Sequence, residues 1–313
     1  MRVVAGVLVD GNGRILIAQR PPGKHLAGLW EFPGGKLEPG EPAAAALERE
    51  LDEELGITVD PQSFEALIRV PWHYGERKML LEAMVVRAWS GQPKALDAAA
   101  IAWHEPWSID PAVLAPADRP ILAAVRLPGH YAITPAQATP DEAVAGLLEA
   151  LARGERLLQL RLPAQSLETV RHVAARVLSE VRRCGAHLLL NRDIEGALSL
   201  GAGVGVHLGS GQLRDMVERP LPWTSVVGAS CHDAEELALA SRLGCDFATL
   251  SPVLPTASHP DAEPLGWPRF AGLTEAASLP VYALGGLVLG DMAEARMHAG
   301  QGIAGIRGFF QGS

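Results

Sequence analysis

Residues 35–57, GKLEPGEPAAAALERELDEELGI, decide how this 313-residue chain is to be read. Pro42 suits a first helical turn, Ala43, Ala44, Ala45, Ala46 and Leu47 are strong helix formers, and Gly56 can take the left-handed conformation that ends a helix. The stretch therefore predicts a helix over residues 41–55. Glu50, Glu53 and Glu54 stand at i, i+3 and i+4, so their carboxylates share one face of it. Three like charges that close repel unless a cation lies between them, which suits a hard divalent metal. Gly34 and Gly35, just before the helix, let the backbone approach a phosphate or a metal, and a carbonyl there can complete a coordination shell. The plain alternative is a solvated acidic face, the usual meaning of a charge run.

The spacing separates these readings. Gly35 is followed after five residues by Glu41, after seven more by Arg49-Glu50-Leu51, then by Glu53-Glu54 and Gly56-Ile57. Every position of the Nudix box is filled, and the segment resembles that family. The resemblance implies Mg²⁺-dependent hydrolysis of a nucleoside diphosphate linked to a further group, with Mn²⁺ an acceptable substitute. Arg20, His25 and the run Glu31-Phe32-Pro33-Gly34 stand where MutT-type Nudix hydrolases, which clear oxidised dGTP, contact their nucleotide. The same resemblance implies attack at the β-phosphorus, releasing a nucleoside monophosphate and pyrophosphate. It also implies metal binding by Gly34, Glu50, Glu53, Glu54 and Asp97, with Glu53 as general base and Arg49 orienting its neighbours.

Length alone argues for two domains, and Leu127-Pro128-Gly129 is the expected boundary between a first domain, residues 1–127, and a second, residues 129–313. A net charge of −9 argues against polymeric nucleic acid as a partner, since that affinity rests on cationic contacts to phosphates. A free nucleoside triphosphate chelated by Mg²⁺ meets no such objection. Three cysteines without metal-ligand or redox spacing suggest reduced thiols in a cytoplasmic protein. The start, MRVVAGVLVDGNG, reads as a strand and hairpin, and no stretch reads as a membrane span.

The first part reads as mixed α/β, with strands near residues 2–10, 14–20 and 79–89 and a last helix over 121–127; the Nudix resemblance implies an α/β/α sandwich. From His130 onward short apolar strands alternate with amphipathic helices, which predicts a small (β/α)8 TIM barrel, an open doubly wound sheet being the alternative. The order YAITP, LLQLR, LLLNRD, GVHLG, GASCH, LSPVLPTAS and YALGG resembles the thiamine-phosphate synthase and thiazole tautomerase family. Such barrels gather ligands at strand carboxyl ends. Gly285, Gly286, Gly302 and Gly305 are expected there as phosphate-binding glycines, or simply as turn residues. Gln159, Arg161, Asn191, Ser230 and His232 complete the expected ligand set, with His232 either an acid or base or a buried structural histidine.

The resemblance fails at the synthase chemistry. Asn191-Arg192 stands where the family has Asn-Asp, Gln212 where an acidic ligand follows strand four, Leu162-Pro163 where a cation follows strand two, and His259 where a pyrophosphate-binding Lys is found. The barrel is expected to bind a thiamine-pathway phosphate compound without synthase turnover. Two departures also touch the first domain. Aligning Trp89 and Trp103 with the family's tryptophans puts Asp97 where a further catalytic Glu belongs, or leaves it a plain loop residue. Asp118 takes the place of a base-reading Asn; an amide donates and accepts, whereas an ionised carboxylate only accepts. The rival expectations are a Nudix pyrophosphatase for another nucleotide or a thiamine-related diphosphate, and a barrel that acts as a catalytic partner or as a regulatory sensor.

Overall fold

The computed structural model describes residues 1–256, 263–306 and 308–310. The chain forms two compact units, Met1–Arg126 and the residues from Leu127 onward.

Unit 1 places strands β1 (Arg2–Leu8), β2 (Ile15–Gln19) and β3 (Trp30–Glu31) before helix α1 (Ala43–Leu55), then β4 (Glu65–Tyr74), β5 (Arg77–Val86), β6 (Ala100–His104) and helix α2 (Arg119–Arg126). The strands form two three-stranded sheets, ordered β1-β5-β4 and β3-β2-β6. Alternation along β1 sends Val4 and Leu8 into one apolar cluster with Leu47, Leu51 and Leu55 of α1. It sends Ala5 and Val7 into a second cluster with Ile121 and Leu122 of α2. A helix on each side of the strands is the expected sandwich.

Helix α1 starts at Ala43, with Pro42 as its extended N-cap residue rather than inside the first turn, and Gly56 ends it at φ 66°. Gly6 lets α1 lie close, since a Cβ there would come within 3.2 Å of Leu47. Strands β4 and β6, which the apolar pattern does not announce, are both present. In β4 the alternation is weak because it is an edge strand with exposed Glu65, Ala66 and Arg69.

Unit 2 alternates β7 (His130–Ile133), α3 (Pro140–Ala152), β8 (Leu157–Leu160), α4 (Leu167–Arg183), β9 (His187–Asn191), α5 (Ile194–Leu200), β10 (Val204–Leu208) and α6 (Ser210–Asp215). It continues with β11 (Val227–Cys231), α7 (Ala234–Leu243), β12 (Phe247–Leu250), α8 (Gly266–Glu275), β13 (Val281–Leu284), α9 (Met292–Met297) and β14 (Gly302–Gly305). Strands β7 to β14 close into a parallel barrel, so the open-sheet alternative is excluded. Its helices start where the sequence supplies caps: Thr139 forms a capping box with Glu142, while Ser166, Asp193 and Asp233 accept from backbone N–H groups of α4, α5 and α7.

The barrel interior is aromatic: Tyr131, His207, Phe247 and Tyr282 pack ring against ring at centroid distances of 5.0–6.0 Å. One expectation is corrected here. Gly302 opens β14 and therefore lies at the amino-terminal end of the barrel, away from the loops that would hold phosphate. A Cβ on it would sit 1.9 Å from the Gly129 carbonyl oxygen, so this glycine serves close packing where β14 meets β7.

Candidate active site

In unit 1 the two glycines before α1 are fixed by what surrounds them. The Gly35 carbonyl accepts from Val4 N–H and the Pro33 carbonyl from Gly6 N–H, each at 2.8 Å, so the segment runs along β1. Gly34 has φ 147°, and a Cβ there would fall 2.2 Å from the Val4 carbonyl oxygen. At Gly35 a Cβ would lie 2.2 Å from the carboxyl carbon of Glu50. Nothing larger than glycine fits between β1 and the acidic face of α1.

That face is held by hydrogen bonds. Gly34 N–H donates to Glu54 Oε2 at 2.9 Å. Arg49 donates to both oxygens of Glu41 at 3.1 Å and to Glu50 Oε1 at 2.9 Å, and lies 3.5 Å from Glu53. Glu53 remains 59% exposed. Burial pushes the Glu54 carboxyl up to about 7 against the opposing pull of the Gly34 N–H, and the nearby charges of Glu31, Glu50 and Asp97 add to the rise.

Among the described residues no three His, Cys, Asp or Glu side chains converge as a metal cluster; Arg49 and the Gly34 N–H hold the acids instead. The donor set nonetheless fits a hard divalent cation. Crowded carboxylates, one of them with its pKa raised chiefly by burial and further by its neighbours, face a backbone too close for any side chain to fill. Glu50, Glu53, Glu54 and the Gly34 carbonyl are the groups that would hold it. Asp97 lies close enough to influence Glu54 but pairs with Lys24 at 2.5 Å. Lys24 carries no motif; its side chain turns toward this cluster only in the fold.

The nucleotide-contacting candidates gather beside the same segment. Arg20 pairs with Glu31 and donates to the His25 carbonyl. Burial raises the Glu31 carboxyl, with Arg20 opposing. Phe32 and Pro33 are buried. Phe32 N–H donates to Asp118 Oδ1 at 2.9 Å, tying the turn before α2 to the end of β3. The exposed His25 ring sits edge-on to Tyr74, 5.4 Å between centroids. Tyr74, on the unannounced edge strand β4, is the residue that sequence reasoning missed; burial raises its phenol, and Asp118 is the next cause.

Asp118 corrects a further expectation. It is 6% exposed, and burial pushes its carboxyl up to about 8 despite the Phe32 N–H. At neutral pH it is a protonated acid that both donates and accepts, and not the acceptor-only carboxylate expected from its residue type.

In unit 2 the candidate residues Gln159, Arg161, Asn191, Ser230 and His232 stand at or just beyond strand carboxyl ends. Gln159, at the inner end of β8, donates to Asn191 Oδ1 at 3.2 Å. Ser230 Oγ lies 2.9 Å from His207 Nε2, and Tyr131 Oη lies 3.0 Å from His207 Nδ1. His232 is exposed and its Nδ1 donates to the Ser251 carbonyl at 2.8 Å, so the buried histidine of this barrel is His207, not His232. Gly285 and Gly286 follow β13 with φ 101° and 72°. Cβ atoms on them would meet Pro252 at 2.9 Å and the Pro255 carbonyl at 2.5 Å, so packing against the loop after β12 accounts for both. Arg192 and Gln212 are linked, Gln212 Nε2 donating to the Arg192 carbonyl at 3.0 Å. His259 lies outside the described residues.

Fold and site together define an α/β/α unit with a glycine-backed acidic helix face, joined in one chain to a closed parallel barrel. Comparison with known proteins identifies both: the chain belongs to the Nudix family through a NUDIX domain at residues 4–124 and to the thiamine monophosphate synthase family through residues 130–309. It is 31% identical to the 8-oxo-dGTP diphosphatase of Escherichia coli K12, over 40% of this chain and 96% of that protein. The CTP pyrophosphohydrolase of the same organism is 40% identical, over 39% of this chain and 88% of that protein. The thiamine-phosphate synthase of Thioalkalivibrio sulfidiphilus is 34% identical, over 59% of this chain and 89% of that protein. No helix among the described residues is long and apolar enough to cross a membrane.

Proposed function

We propose that unit 1 is a Mg²⁺-dependent nucleoside triphosphate pyrophosphohydrolase that removes 8-oxo-dGTP from the nucleotide pool, releasing monophosphate and pyrophosphate. The barrel, on the same reading, binds a thiamine-pathway phosphate compound without synthase turnover. The observation that carries the hydrolase reading is the glycine-backed acidic face of α1, in the same unit as a buried Asp118 tied to Phe32.

When bound, Mg²⁺ or Mn²⁺ supplies charge neutralisation for the triphosphate and a more acidic water. The chain's own groups do the rest. Glu53, the exposed member of the acidic face, takes the proton of the attacking water. Arg49 keeps Glu41 and Glu50 in place and restrains Glu53. Arg20 holds Glu31 and the backbone at His25, shaping the base pocket in which Asp118 and Tyr74 stand. Asp97 would join the metal set only on release of Lys24.

A second reading is a Nudix pyrophosphatase for a different nucleotide. It is favoured by the likeness to a CTP pyrophosphohydrolase. A hydrolysis panel with Mg²⁺ decides between them, comparing 8-oxo-dGTP, dGTP, CTP and thiamine diphosphate. The first reading requires kcat/KM for 8-oxo-dGTP to exceed that for each of the others by at least about tenfold, roughly 1.4 kcal/mol of transition-state preference. A lead for CTP or thiamine diphosphate would replace it.

A further inference from the structure

The mouth of the barrel is cationic. Arg161 follows β8 and Arg192 follows β9, so both stand at strand carboxyl ends. Neither guanidinium has a carboxylate within ion-pair distance among the described residues, whereas the acids nearby are engaged. Asp193 is held by Arg171 and the Gly196 N–H. Glu236 is held by Arg214 and the His232 N–H. Asp233 caps α7.

Both arginines are positioned. The backbone of Arg161 is clamped to Thr134, whose hydroxyl accepts from Arg161 N–H at 2.8 Å. Arg192 sits at φ 64° and its N–H donates to the His207 carbonyl at 2.9 Å. Its guanidinium lies across Gly209, where a Cβ would fall 2.5 Å from Nε. The two cations act on one point: after burial itself, Arg161 and Arg192 are the charges that lower the His207 imidazole, to about 3.

Beneath them the barrel holds polar groups ready for a ligand. A neutral His207 has one N–H for its two partners. If Tyr131 donates to Nδ1, Nε2–H donates to Ser230, whose own proton is then free to point outward. Thr249 lies two residues beyond Phe247 on β12, hence on the same inward face and nearer the mouth. It is 1% exposed, and its hydroxyl has no hydrogen-bond partner among the described residues, an arrangement that costs free energy until a partner is supplied.

Among the described residues, a divalent cation would be repelled by two guanidiniums without a carboxylate partner and would find no free carboxylate there. A dianion is matched by both, since the guanidinium fork bonds phosphate oxygens bidentately. Resting on the reading that the barrel keeps a phosphate-compound site, we infer that the mouth binds a phosphate or diphosphate group directly through Arg161 and Arg192, with no divalent cation between protein and anion.

The test is calorimetric titration of the full-length protein with inorganic pyrophosphate, and separately with inorganic phosphate, in EDTA and again in Mg²⁺. Binding in EDTA that weakens about tenfold or more in both Arg161→Ala and Arg192→Ala, with unchanged thermal unfolding of the barrel, is the expected result. Arg192→Asp, which restores an acid at the mouth, should abolish binding in EDTA. Binding that appears only with Mg²⁺, survives both alanine variants and is unaffected by Glu50→Gln in the acidic face of unit 1 overturns the metal-free inference while leaving the phosphate-site reading intact. Absence of binding under every condition overturns that reading and the inference with it.

Discussion

At the scale of single residues, environment changes what a side chain can do. Asp118 and Glu53 are both acids, yet one is buried against Phe32 and the other faces solvent. Glu53→Gln keeps volume and helix propensity while removing a charge and a proton acceptor, so nucleotide hydrolysis should fall by about 100-fold or more with unchanged unfolding temperature. Steady-state rates at saturating Mg²⁺ check this; near-normal turnover would remove Glu53 from the mechanism. Asp118 predicts a pH dependence. Its folded carboxyl titrates near 8 and its unfolded one near 3.8, so the folded state holds a proton that the unfolded state releases between those values. Stability contributed by neutral Asp118 is therefore full below about 4 and declines as pH rises to about 8, at no more than about 1.4 kcal/mol per pH unit. Asp118→Asn should remove that slope, making the variant relatively more stable at pH 8 than at pH 5 in denaturant titrations. Base selectivity should follow the same group. The Asn variant should match the native protein near pH 6.5 and exceed its preference for 8-oxo-dGTP over dGTP above pH 8, because only there does the carboxylate lose its donor. Equal selectivity of the two proteins at both pH values would show that Asp118 does not read the base.

At the scale of elements, α1 and the glycine pair before it act as one device. Gly34→Ala meets the Val4 carbonyl and a φ of 147° at once. It should cost unit 1 about 2 kcal/mol or more and depress hydrolysis with it, in denaturant melts and rate assays respectively. Much of this device was legible in the sequence, because Arg49 and the three glutamates Glu50, Glu53 and Glu54 are spaced by a helix and a helix is specified locally. The barrel was legible for a similar reason, as apolar strands and capped helices alternate at a steady interval. What could not be read was set by contacts distant along the chain. Lys24 reaches Asp97, Tyr74 reaches the neighbourhood of Asp118, and Thr249 turns inward unpaired. None of these stands in a spacing pattern. Gly302 was misplaced because a glycine at the start of a strand and one at its end look alike until the strand's limits are known.

At the scale of the molecule, two family domains are joined in one chain, and the barrel's departures bear on whether there is a second turnover. Arg192 and Gln212 stand where the resemblance expects acidic metal ligands, and each lost charge clamp is worth about 100-fold in rate. Full-length protein given the phosphorylated thiazole and pyrimidine diphosphate halves with Mg²⁺ should therefore form no detectable thiamine phosphate by chromatography. Product that titrates with Mg²⁺ would mean other groups have taken over. The pairing of β14 with β7 also has a consequence in time. Ile303 pairs with His130, and Gly302 leaves room for the Gly129 carbonyl, so the last strand of the barrel closes against its first. On a ribosome the hydrolase unit has all its strands once Arg126 has emerged, while the barrel stays an open sheet with a bare edge until β14, ending at Gly305, is made. The nascent chain thus carries a finished domain ahead of an unfinished one, and the interval before β14 arrives is when its exposed strand edges most invite a chaperone.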